Sequence, residues 1–158
     1  MKHLLTFFLL IVLSLPVFSQ KAGVVKFEDL EGRIMNSSDT LYVINFWATW
    51  CTPCVKEIPF FEQLAEKYKQ EPLKVIFYSL DFKSKIEKEV IPFVRKNSIK
   101  SEVLVNQNND EKFINLVSKE WSGAIPATLI INKKKGIRKF YEKEFDFNQL
   151  EELYLKSR

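Results

Sequence analysis

Histidine is nearly absent from this chain. Its one example, His3, lies in an N-terminal stretch with the layout of a cleavable leader, so the remainder has no imidazole for acid–base work or for holding a metal. Glycine is scarce as well, at 4 of 158 residues, which excludes a linker-rich or low-complexity protein. The 2 cysteines are too few to staple a small scaffold, and with no histidine to join them they cannot supply four zinc ligands. No metal site is expected. Long blocks of one charge are also missing: the net charge is +4 with acids and bases interleaved. Lys133-Lys134-Lys135, the exception, reads as a solvated turn beside Gly136 rather than as a nucleic-acid or membrane patch.

Residues 1–19 hold Lys2, His3 and an apolar run broken only by Thr6, Ser14 and Pro16. This is the pattern of a secretory signal peptide cleaved after Ser19. The run is short for a bilayer crossing, which needs roughly 20 apolar residues, although an uncleaved N-terminal membrane anchor is the alternative. Residues 20–158 then form one domain with one core, and the 46% hydrophobic content supports a packed interior.

Leu41 to Ala48 is an unbroken β-branched and aromatic run, as in a strand buried on both faces. It leads directly into Cys51. Beyond Cys54, apolar residues at Ile58, Phe61, Leu64, Ala65 and Tyr68 recur at helical spacing, predicting a helix over about 51–70 with a kink at Pro59. Further strands are expected at 73–80, 102–105, 127–132 and 137–143, and helices at 84–97 (bent at Pro92), 110–119 and 147–156. Val24 to Met35 reads as an N-terminal hairpin turning at Glu31-Gly32. The order implies an α/β domain: a mixed central sheet with helices on both faces, closed by a hairpin around Lys133 to Gly136.

A disulfide between Cys51 and Cys54 closes so small a loop that it stabilises by only about 2 kcal/mol, against about 3 for a 15-residue loop. A redox couple suits the spacing better, because the thiolate that attacks a substrate disulfide needs a second thiol nearby to resolve the mixed disulfide. At the start of a helix, Cys51 faces unpaired backbone N–H groups and the positive end of the dipole, which lower its pKa. Cys54, one turn further in, stays protonated until needed. Pro53 fits the first helical turn, where its missing N–H costs little.

The run Asn45-Phe46-Trp47-Ala48-Thr49-Trp50-Cys51-Thr52-Pro53-Cys54, with Glu57 and Pro59 after it and Gly123-Ala124-Ile125-Pro126-Ala127-Thr128 opening a late strand, resembles the exported thioredoxin-like proteins of the TlpA/ResA group. The resemblance implies a thioredoxin-like three-layer fold with a strand–helix insertion between about 99 and 120. It implies that Pro126 is a cis-proline lying against the cysteines, and that Ile125 offers its backbone to a bound peptide. Trp50, Thr52 and Pro53 would complete the substrate surface, whereas Trp121 suits core and groove equally. Thioredoxin has a buried Asp six residues before its first cysteine, where this chain has Asn45. Proton transfer must then use another acid, with Glu57 and Asp81 as candidates, each of which reads in the first instance as a solvated surface carboxylate.

On that resemblance the chain would be a periplasmic or otherwise extracytoplasmic reductant, monomeric, with no cofactor beyond its own disulfide. A membrane thiol carrier would supply electrons and disulfide-bearing exported proteins would receive them. Oxidase or isomerase chemistry, or a non-catalytic binding module of the same fold, are the alternatives. A thiol peroxidase is disfavoured, because the residues before Cys51 do not form the Thr-x-x-Cys pattern of peroxiredoxins.

Overall fold

The computed structural model describes residues 22–158 apart from Ser38, so the expected signal peptide and its cleavage point lie outside the described residues. Six strands form one sheet in the order β1-β4-β3-β2-β5-β6. They are β1 (Gly23–Val25), β2 (Leu41–Trp47), β3 (Leu73–Ser79), β4 (Glu102–Asn106), β5 (Ala127–Asn132) and β6 (Ile137–Tyr141). β1, β4, β3 and β2 are parallel to one another, β5 runs antiparallel to β2, and β6 runs antiparallel to β5. The mixed sheet is as expected.

Alternation along β2 sorts the two cores. Tyr42, Ile44 and Phe46 face one side, where α1 (Phe27–Asn36) and α4 (Glu111–Val117) supply Phe27, Leu30, Ile34, Phe113 and Val117. Leu41, Val43 and Trp47 face the other, against α2 (Thr52–Lys67), α3 (Ile91–Lys96) and α5 (Phe147–Ser157). Every residue of β2 is buried, as a central strand covered on both faces requires. Asn45 belongs to the second set by parity, so a polar side chain stands in the sheet directly beneath α2. Among the described residues, no helix is long and apolar enough to cross a membrane.

Two expectations need correcting. The N-terminal hairpin is instead the short strand β1 followed by the ten-residue helix α1. Phe27, Leu30 and Ile34 fall at helical spacing and are each 1% exposed, and their burial outweighs the roughly 1 kcal/mol that a mid-helix glycine costs. Gly32 sits on the open side, with nothing within 4 Å of where a Cβ would stand. The expected helix over 84–97 is also less regular. It starts as a 3₁₀ turn (Lys83–Lys85), widens to a π turn (Ile86–Val90), and becomes α-helical only where Pro92 occupies the first turn of α3. Proline has no N–H to give to an upstream carbonyl.

Candidate active site

Cys51 caps α2. Its Sγ accepts a hydrogen bond from the Cys54 N–H at 3.3 Å, and Pro53 lies in the first turn. The two cysteines are joined as a disulfide. Cys51 keeps 5% of its surface and Cys54 none, so the outer sulfur is the one an incoming group can reach. When the bond is reduced, a thiolate at Cys51 would meet an N–H donor and the positive helix end together, both of which favour the ionised form.

Pro126 is buried and its peptide bond with Ile125 is cis, as the resemblance implied. The Ile125 carbonyl oxygen stands 3.8 Å from Cys51 Sγ, which brings the two loops together at the sulfur. Trp121 is core: it packs on Phe46 and Phe113, while its indole N–H donates to Ala124 O at 2.7 Å and fastens the loop that leads to Pro126. Gly123 in that loop has φ +92° and a virtual Cβ 3.1 Å from Ile114 Cδ1, so the turn needs glycine. Trp50 is 67% exposed beside Cys51, and Thr52 is exposed next to it.

Both carboxylates expected at the surface are buried, Glu57 at 2% and Asp81 at 1% exposure. Their partners differ. Asp81 Oδ2 accepts from the Thr49 N–H at 3.0 Å and the Ser79 hydroxyl at 2.7 Å, and Oδ1 accepts from the Thr49 hydroxyl at 2.7 Å. These bonds clamp the turn that carries Trp50 and Cys51 to the end of β3. Glu57 lies three residues beyond Cys54, on the inward stripe of α2 with Ile58, Phe61 and Leu64. Its Oε1 accepts from Asn45 Nδ2 at 2.7 Å and its Oε2 from the Phe145 N–H at 2.9 Å. Burial raises its pKa to about 7, against the pull of those two hydrogen bonds and with a small push from Glu144. A group that exchanges protons near neutrality therefore stands one helical turn from the inner sulfur.

Glu57 reads in the sequence as a polar residue between the apolar positions of α2, yet residue 57 shares the helix face of Cys54, Phe61 and Leu64, and that spacing is the signal that could have found its burial. Asp81 is marked in the sequence by its place just after a strand expected to end near the cysteines, but its clamp is visible only once β3 places it beside Thr49. Asn45 reads in the sequence as a departure from an acid, and the structure makes it the hydrogen-bond partner of one.

A mixed sheet with helices on both faces, a Cys-x-x-Cys pair capping a helix and a cis-proline at the outer sulfur define a thioredoxin-like protein. Within that class the chain belongs to the AhpC/TSA family, whose model matches residues 14–140. It is 32% identical over 108 residues to a thiol-disulfide oxidoreductase ResA of Bacillus cereus, covering 66% of this chain and 58% of that relative. It is 29% identical over 131 residues to ResA of Bacillus thuringiensis subsp. konkukian, covering 81% of this chain and 70% of the relative. Among solved structures, a thioredoxin-related protein from Neisseria meningitidis serogroup B shares the fold with a TM-score of 0.65 and 21% identity, over 78% of this chain and 89% of that one.

Proposed function

We propose that this chain is an exported thiol–disulfide oxidoreductase that reduces disulfides in extracytoplasmic proteins through Cys51 and Cys54. The observation that carries the reading is the disulfide at the start of α2, its outer sulfur beside the Ile125–Pro126 loop and its inner sulfur one turn from the buried Glu57. The similarity to proteins named thiol-disulfide oxidoreductase supports it.

The reduced protein starts as a Cys51 thiolate and a Cys54 thiol. Cys51 attacks one sulfur of the substrate disulfide, forming a mixed disulfide and expelling the first substrate thiolate. Ionised Glu57 takes the proton of Cys54, whose sulfur then attacks Cys51. The Cys51–Cys54 bond forms, the second substrate thiolate leaves, and the two substrate thiolates gain two protons from water or from Glu57. The substrate has gained two electrons and the protein has lost them, to be restored by a membrane thiol donor. Trp50, Thr52 and Pro53 border the outer sulfur, and Ile125 offers backbone to an extended peptide. No metal or bound cofactor enters this scheme.

Insulin reduction with dithiothreitol as electron source tests it. Cys51→Ser should abolish turnover and Cys54→Ser should accumulate mixed disulfides with substrate. Full turnover without either cysteine would overturn the reading, and partner retention by the double serine variant with no turnover in the native chain would support the binding-module alternative. The reduction potential sets direction: near about −270 mV for a reductant, near about −120 mV for an oxidant.

A further inference from the structure

Glu57 must serve two protonation states from one buried position, and its partners are built for only one of them as they stand. Oε2 receives the backbone N–H of Phe145 at 2.9 Å and Oε1 receives Asn45 Nδ2 at 2.7 Å. Two N–H donors suit a carboxylate. A carboxylic acid has one carbonyl oxygen and one hydroxyl, so one of those donors would face an O–H. The Phe145 N–H is fixed in the backbone and cannot turn away. The carbonyl oxygen must therefore stay with Phe145, and the proton must go to Oε1, opposite the Asn45 amide.

Asn45 is the adaptable partner. It is fully buried in β2, and its Oδ1 is a buried acceptor with no hydrogen-bond partner among the described residues. Orphaned buried acceptors of this kind call for an explanation. Turning the carboxamide about its terminal torsion, which is roughly two-fold and soft, exchanges Nδ2 for Oδ1 in front of Glu57. The Thr128 hydroxyl on β5, 3.5 Å from Nδ2, can donate or accept and so tolerates either orientation. Among the described residues, the polar groups beside the Asn45 amide are Glu57 of α2 and Thr128 of β5, Cys54 stands one turn away on α2, and the charged neighbour acting on Glu57 is Glu144, next to Phe145 in the chain.

We propose that Asn45 is a positioning residue for the proton-transfer step, donating through Nδ2 to ionised Glu57 and turning over to accept through Oδ1 from protonated Glu57. The step moves one proton from Cys54 to Glu57 Oε1 and leaves Cys54 as the attacking thiolate, and the Asn45 amide turns back when Glu57 releases that proton to water or to a departing substrate thiolate. This rests on the assignment of Glu57 as the acid, but its test does not depend on turnover.

The test is a titration of the oxidised protein by NMR, following the Glu57 carboxyl carbon and the Asn45 side-chain amide. The amide resonances should move between two end states with the same midpoint as the carboxyl. Glu57→Gln should hold the turned orientation at every pH, because the carboxamide oxygen of the variant stays with the Phe145 N–H and its NH₂ faces Asn45, which a crystal structure would show as Asn45 Oδ1 within hydrogen-bond reach. Asn45→Leu takes a hydrogen bond from each form of Glu57, but the one to the carboxylate is the stronger, so the Glu57 midpoint should rise by about one pH unit. Asn45 resonances that stay flat while Glu57 titrates, or an unturned Asn45 in Glu57→Gln, would overturn the proposal while leaving Cys51 and Cys54 chemistry intact. Loss of insulin reduction with intact Asn45 behaviour is not expected, and would count against the function instead.

Discussion

Replacing Glu57 by Gln should stabilise the oxidised protein at alkaline pH and change it little at acid pH. The native pKa is raised from 4.5 to about 7 by burial, so folding favours the protonated form. The associated stability is present below the unfolded value and is lost as pH rises through the folded one. At about 1.4 kcal/mol per pH unit, that raised value corresponds to about 3 kcal/mol. Gln keeps the shape and the acceptor for the Phe145 N–H without any charge to bury. Urea unfolding of the disulfide form at pH 4.5 and pH 8.5, for native protein and variant, isolates this contribution because all other groups titrate alike in both. The variant should gain about 3 kcal/mol relative to native between those two pH values. Parallel pH profiles would refute the reasoning, because they would mean that Glu57 ionises as easily folded as unfolded.

Asp81→Ala should cost about 2–4 kcal/mol in urea unfolding, since it leaves the Thr49 N–H and two hydroxyls without their carboxylate acceptor. Phe27→Ala removes a ring that meets Phe46, Tyr78 and Phe113 and should cost about 3–5 kcal/mol by the same measurement. Trp50→Ala should leave stability within about 0.5 kcal/mol, because the ring is 67% exposed, yet lower kcat/KM for insulin several-fold while sparing reaction with a small aromatic disulfide. Gly123→Ala should destabilise by about 1–2 kcal/mol, through its positive φ and the contact with Ile114.

Legibility followed how local the deciding physics was. β2 and β5 were readable because their apolar runs are long and bounded, and β5 falls on Ala127–Asn132 as the sequence implies. Cys51 at a helix start followed from the spacing of the residues behind it. The cis state of Pro126 came from resemblance alone, since a trans proline entering a strand has the same sequence. The helix α1 was obscured by Glu31-Gly32, a dipeptide that suits turns, although three apolar residues at helical spacing surround it. The π turn before Pro92 has no comparable pattern to announce it. Glu57 and Asp81 show the limit most clearly: charge argues for the surface, and only the tertiary donors, Asn45 and Phe145 for one and Thr49 and Ser79 for the other, make burial tolerable.

The outer thiol's ionisation is the central claim, and alkylation of the reduced protein against pH measures it most directly, with Cys54→Ser to isolate Cys51. A midpoint for Cys51 between about 6 and 8 is expected from its place at the α2 N-terminus. A midpoint at or above the free-cysteine value of about 8.5 would contradict the account.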